Sequence, residues 1–291
     1  MTGTVLQGAV DLHLPSQSPP FGDFQYVNYR SQLQQATARA QSCLPDKSRE
    51  AIIAFGYPYN GRRAFAKHFS NNMHSSGFHV LWLDIAALVT AQEGAMKDAA
   101  EQAGEVLSSA SKRPLLFVVN NLDLLDVGQR ENEALKLIQD NLSPSVIDKS
   151  PPSLVMLATA KSPGAAHDEL KAFDAPLLLH FDWPSHDEAV GLLNLLEVPD
   201  HEEVVRLLFE FTDKMGIRYT AGSLINASKQ AMCVAGRSRP DLGPSKAEDI
   251  VQAIRSFCSP TPVDEVQQYR AENRQYIEAA RKAAGQPPLA L

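Results

Sequence analysis

The chain has 291 residues, a formal net charge of −7 and a pI of about 5.6. That length fits about two domains, or one domain with a substantial appendage. Its acidic balance argues against nucleic acid as the main partner. With 44% hydrophobic and 21% charged residues, the composition is that of a soluble globular protein rather than a disordered or fibrous one. Three cysteines, Cys43, Cys233 and Cys258, form no metal-binding spacing and no disulfide framework, which fits free thiols in a reducing compartment. No apolar run approaches the ~18 residues of a membrane-spanning helix. Met1 to Ser18 lacks a basic start followed by an apolar block, so no signal peptide is expected and the cytoplasm is the expected location.

In chain order, residues 1–19 read as an extended arm that runs into Pro15-Ser-Gln-Ser-Pro-Pro20. Tyr29 to Leu44 carries apolar residues three or four apart and reads as a helix. Residues 51–55 read as a buried strand, Ala64 to Met73 as a helix, and Val80 to Asp84 as a second strand. Ala95 to Ser111 is an Ala-rich helix, Leu115 to Val119 a third strand, and Glu131 to Leu142 a helix. Leu154 to Thr159 and Leu177 to Phe181 complete five strands. Short, continuous apolar strands alternating with helices predict an α/β fold, a parallel sheet with helices on both faces. From residue 185 the pattern becomes all-helical, over 185–197, 200–215, 220–236 and 244–257, and a break at Ser259-Pro-Thr-Pro262 precedes one charged helix, Val263 to Ala284. The expected plan is an α/β core over 20–184, a helical lid over 185–259 and a C-terminal helix within 260–291.

Between the first strand and its helix lies Gly56-Tyr57-Pro58-Tyr59-Asn60-Gly61-Arg62-Arg63. Glycine, four residues, glycine, then a helix is the layout of a phosphate-binding loop. A working loop continues with Lys, which reaches the β/γ-phosphates, and with Ser or Thr, whose hydroxyl ligates Mg²⁺. Arg62 and Arg63 stand at those two positions.

The order of elements resembles the AAA+ ATPases over residues 20–280, and within them the AAA family proper. Phe21-Gly-Asp-Phe24 resembles the family's entry segment. Gly56, Pro58 and Gly61 match its Gly-Pro-Pro-Gly-Thr-Gly loop. Leu115 to Asp123 aligns with its second nucleotide motif, and Ala158-Thr-Ala-Lys161 resembles its sensor 1. Tyr219 to Ala235 resembles the helix carrying sensor 2, and Pro262 to Tyr269 the terminal helix. The resemblance implies an ATP or ADP site, so the departures matter. Its metal-holding Asp is Asn120, its water-polarising Glu is Asn121, and the sensor 1 Asn is Ala160; only Asp123 keeps a carboxylate. An amide cannot accept a proton from water. The segment expected to carry an arginine finger, Asp168 to Asp174, holds Lys171 but no Arg, and such a finger is worth about 10³–10⁵ in rate. Ala91-Gln-Glu-Gly94, at the place of the family's substrate-threading loop, lacks its aromatic residue.

The reading is a degenerate AAA+ protein with a vestigial nucleotide site at Gly56, Pro58, Gly61, Arg62, Arg63, Asn120, Asn121, Asp123 and Ala160. No catalytic residue, metal site or required cofactor is expected. Arg62 and Arg63 could hold an anion at the helix N-terminus. The favoured alternative is that they are solvated or pair with a neighbouring subunit, with Tyr57 and Tyr59 filling the vacated loop. Asn120 and Asn121 are expected to bond local backbone. Val266, Tyr269, Asn273, Tyr276/Ile277 and Ala280 are expected to pack on the α/β core. The implied function is a catalytically inactive pseudo-ATPase: a scaffold, adaptor or regulatory subunit whose partner is a protein, an active AAA+ relative or itself in a ring. The alternatives are a module that binds nucleotide without hydrolysing it, or a replication-type regulator or loader subunit.

Overall fold

A computed structural model describes residues 10–13, 29–46, 48–89, 98, 101–102, 105, 114–125, 153–164, 175–238 and 246–288. The entry segment, the threading-loop position, the helix expected over 131–142 and the finger segment lie outside the described residues, as does most of the helix expected over 95–111.

The α/β part runs β1 (Val10–His13), α1 (Arg30–Asp46), β2 (Arg49–Gly56), α2 (Arg62–Ser75), β3 (His79–Asp84), α3 (Ile85–Val89), β4 (Leu115–Asn120), β5 (Leu154–Ala160) and β6 (Leu177–Phe181). The sheet order is β1-β3-β4-β5-β2-β6. Five strands are parallel, as their continuous apolar sequences imply. The sixth, β1, was not foreseen: part of the arm pairs antiparallel with β3, from Val10↔Leu83 to His13↔Val80.

Side chains alternate across the sheet and build two cores. Ile53, Phe55, Leu83, Phe117 and Met156 face one side. Ile52, Ala54, Val80, Trp82, Val118 and Leu157 face the other, against Ala36 and Ala40 of α1 and Phe65, Phe69 and Met73 of α2. Because β2 lies between β5 and β6, its C-terminal end sits where the strand order reverses. Ligands of open α/β sheets bind at such points.

Asp182-Trp183-Pro184 leads into four helices: α4 (His186–Leu195), α5 (His201–Met215), α6 (Ala221–Ser238) and α7 (Ala247–Phe257). Ser185 and Glu188 start α4 with a reciprocal capping box. Leu192, Val204, Leu208, Leu224, Ala231, Ile250 and Ile254 give these helices a core of their own. Two short strands that the sequence did not announce, β7 (Ile217–Arg218) and β8 (Thr261–Pro262), pair antiparallel and tie the lid to the tail.

The single helix expected over 263–284 is two, α8 (Val263–Glu272) and α9 (Arg274–Ala283). Asn273 breaks it: its Nδ2 donates back to the Tyr269 carbonyl at 3.0 Å, and its φ is −107°. A short polar side chain that bonds nearby backbone competes with helix continuation. Across the break Val266, Tyr269, Ile277 and Ala280 all stay buried on the sheet, which is the face the sequence assigned to packing.

Candidate functional site

The glycine loop leaves β2 where two strands crowd together. Gly56 is in register with Phe181, and a Cβ at Gly56 would stand 2.3 Å from the Phe181 carbonyl oxygen. Pro58 lies in the turn that follows, a position its fixed φ suits. Gly61 has φ +92°, and a Cβ there would meet the Tyr29 hydroxyl at 2.5 Å. Tyr29 itself is buried, and its phenol donates to the Asn60 carbonyl.

The two loop tyrosines do not fill the cradle, contrary to expectation. Tyr57 turns toward the C-terminal helices. Its ring centroid lies 4.8 Å from that of Trp183 and 5.7 Å from that of Tyr269, and its hydroxyl donates to Glu265. Burial, with help from that carboxylate, pushes the Tyr57 phenol up to about 12. Tyr59 is 75% exposed. Tyr57 goes where it can bury its ring among other aromatics, which the loop does not offer.

The polar centre of the site is a residue the sequence reading passed over. Asp84, the last residue of β3, is 1% exposed. Its carboxylate accepts from Arg63 Nη2 at 2.8 Å, Asn120 Nδ2 at 3.1 Å, the Ala86 N–H at 3.1 Å and Asn121 Nδ2 at 3.4 Å. Thr159 Oγ1 donates to Asn120 Oδ1 at 2.7 Å and accepts the Asn121 N–H at 2.9 Å. Asn121 holds a left-handed φ of +62°. Arg63 is therefore paired within its own chain, and the two amides bond a carboxylate and a threonine rather than local backbone alone.

These charges differ from those the resemblance implied. Arg63 stands where the resemblance implied a metal-binding hydroxyl, Asn120 and Asn121 where it implied two acids, and the buried carboxylate that pairs with Arg63 comes from the neighbouring strand. The ensemble is satisfied by protein groups alone. Lys67, one turn along α2 from Arg63, has its pKa lowered by burial first and by the Arg63 charge second, with Asp84 opposing.

Arg62 takes a separate course. Burial lowers its pKa, while the charge of Asp123 and then Tyr269 oppose the shift. Its Nη1 and the Asp123 Oδ1 are both buried without a hydrogen-bond partner. Ala160 is fully buried and brings no polar atom, and Lys161 beside it is exposed, its Nζ 5.8 Å from the Tyr57 ring centroid. Tyr269 donates to the Lys161 carbonyl at 3.0 Å. Among the described residues, no cluster of His, Cys, Asp or Glu is placed to hold a metal ion.

From the other side the lid closes on the loop. The Gly222 N–H donates to the Tyr59 carbonyl at 2.8 Å, and the Ala221 N–H to Asn60 Oδ1 at 3.3 Å.

No protein-family model matches the sequence, and no curated protein does. Solved structures do match. The AAA domain of FIGL-1 in complex with ADP is similar with a TM-score of 0.68 at 12% identity, over 95% of this chain and 97% of that one. The fold is that of an AAA domain. A second structure of the FIGL-1 AAA domain is similar with a TM-score of 0.62 at 13% identity, over 94% and 93% of the two chains. A katanin structure concerned with that protein's self-assembly follows with 0.61 at 12% identity, over 95% and 97%. In this AAA fold, Tyr29, Asp84, Ala221 and Gly222 are the site residues that sequence reasoning missed. Only Asp84 left a signal, a carboxylate ending an otherwise apolar strand.

Proposed function

We propose that this chain is a non-hydrolysing AAA-fold protein, acting in the cytoplasm as a scaffold, adaptor or regulatory subunit of a protein complex. The observation that carries the reading is the Arg63–Asp84 pair with its Asn120, Asn121 and Thr159 partners. Phosphoryl transfer depends on a metal ion, a group that orients water and preorganised positive charge on the transferring phosphoryl. Here the cation is tethered to the protein and neutralised by a buried carboxylate, and the groups facing it are amides with no proton affinity at neutral pH. The katanin neighbour self-assembles; the same fold supports a role for this chain in a ring or hetero-oligomer, where an inert subunit contributes surface.

The test is titration calorimetry with ATP and ADP, with and without Mg²⁺, alongside a phosphate-release assay and sedimentation velocity. The reading expects background release in every condition, and steady phosphate release abolished by Arg62→Ala would overturn it. A second reading, a module that binds nucleotide without cleaving it, draws on the buried Arg62 Nη1 that lacks a partner beside the loop. It expects saturable nucleotide binding, weakened by Arg62→Ala, with release still at background.

A further inference from the structure

We propose that the glycine loop and the lid form an intramolecular latch. In it the loop supplies hydrogen-bond acceptors to the first turn of α6 and holds the cleft shut in the place a ligand would occupy. The proposal deepens the non-hydrolysing reading, and rests on it for its functional meaning.

The first N–H groups of a helix have no intrahelical acceptor and must find one elsewhere. In α6 they are divided in a definite way. Thr220 caps its own helix, its Oγ1 accepting the Ser223 N–H at 3.2 Å, while the Leu224 N–H reaches the Thr220 carbonyl at 2.9 Å. The two left over, Ala221 and Gly222, go to Asn60 Oδ1 and the Tyr59 carbonyl. Both acceptors belong to the loop, about 160 residues earlier in the chain, as the separation of 161 between Asn60 and Ala221 records.

The loop is shaped for this contact. Tyr59 holds φ +67°, a left-handed conformation that a bulky residue keeps only where its surroundings over-determine it. The residue is 75% exposed, so burial of its side chain is not what holds it. What is held is its carbonyl, aimed at the lid. Asn60 is fully buried and used at both ends: its carbonyl takes the Tyr29 phenol and its side chain takes the lid. One loop residue thus joins the start of α1 to the start of α6. On the lid side, a Cβ at residue 222 would stand 2.9 Å from the Tyr59 carbonyl oxygen, so glycine is what lets the two backbones meet.

Hydrogen exchange on the full chain without nucleotide tests this directly, because the Ala221 and Gly222 amides can owe protection only to the loop. Protected amides at 221–222 in the native chain are expected. In Gly222→Ala both amides, and independently in Asn60→Ala the Ala221 amide, should exchange on the order of tenfold faster, the change expected from losing one buried hydrogen bond. Protection of α7 should stay unchanged in both, which shows that the lid itself remains folded. Should Gly222→Ala also lose protection in α7, Asn60→Ala decides. Unprotected amides at 221–222 in the native chain, or unchanged protection in a folded variant, would overturn the latch. Repeating the native measurement with ATP and Mg²⁺ separates the two ideas. Nucleotide turnover by a chain that is latched when empty would refute the non-hydrolysing reading and leave the latch. Free exchange without any turnover would do the reverse.

Discussion

Arg63→Ala tests the Arg63–Asp84 pair most sharply. The Asp84 side chain is 2% exposed while that of Arg63 is 60% exposed. Breaking a fully buried ion pair costs about 3–5 kcal/mol, whereas an exposed pair is worth about 0–1 kcal/mol. This pair lies between those limits, and the buried partner dominates because it is the one left without its counter-charge. Three neutral donors remain on the carboxylate, from Asn120, Ala86 and Asn121. Lys67 remains within its field. The expected loss is therefore about 2 kcal/mol, near the value of a hydrogen bond to a charged group. Urea unfolding should show it as a lower midpoint with an unchanged m-value. Asp84→Asn should cost less in the Arg63→Ala background than in the native chain, with a coupling of about 1–2 kcal/mol. If Arg63→Ala stays within about 0.5 kcal/mol of the native chain, the guanidinium is a solvated surface cation and not the counter-charge that Asp84 depends on.

The remaining predictions concern pH, thiols and the glycines. Burial, aided by Arg270 and Arg281 and opposed by Asp182, lowers the His180 pKa to about 4. The unfolded imidazole takes its proton near pH 6.5, so between these values the unfolded state binds more protons. Stability is intact above pH 6.5 and should fall by about 2–3 kcal/mol as pH drops toward 4; urea midpoints at pH 7 and 4.5 should differ less in His180→Gln. Cys233 is exposed, while burial pushes the Cys43 and Cys258 thiols up to about 11 and about 12. A disulfide reagent at pH 8 should therefore titrate Cys233 quickly in the folded chain, and Cys43 and Cys258 only after denaturation. Gly61 and Gly77 share nearly the same φ, +92° and +91°, but a Cβ clashes with Tyr29 only at Gly61. Gly77→Ala should cost about 1 kcal/mol from backbone strain alone, and Gly61→Ala about 2 kcal/mol or more; thermal unfolding of the pair checks the difference.

The strand–loop–helix frame was legible because strands buried on both faces are written as uninterrupted apolar runs. Leu115 to Val119 and Leu154 to Thr159 could hardly be read otherwise. β1 was not legible: Val10-Asp-Leu-His13 is four alternating residues inside a segment rich in polar residues and proline, and its partner strand decides it. The break at Asn273 was hidden because the apolar spacing continues across it, and only the asparagine marks the place. At the site, the replaced residues could be read one by one, but not what they do together. Asp84 ends an apolar strand about 20 residues past Arg63 and about 35 before Asn120, so no local pattern joins them; only the parallel register of β3 and β4 brings Asp84 beside Asn120. The tyrosines misled for a related reason. A vacated cradle seemed to call for a bulky side chain, yet Trp183 and Tyr269 gave Tyr57 a better place to bury its ring.

The packing of α8 and α9 on the sheet carries a consequence for the order in which the protein is made. Val266, Tyr269, Ile277 and Ala280 complete the same core as Ala51, Ile53 and Phe55. A nascent chain whose last sheet strand, β6, has just been made therefore lacks these four residues of that core until about 80 to 100 further residues have been translated. Chaperones that hold apolar surface have their natural substrate in that interval, and a ribosome stalled between residues 185 and 262 leaves a chain more prone to aggregate than one stalled before the first strand.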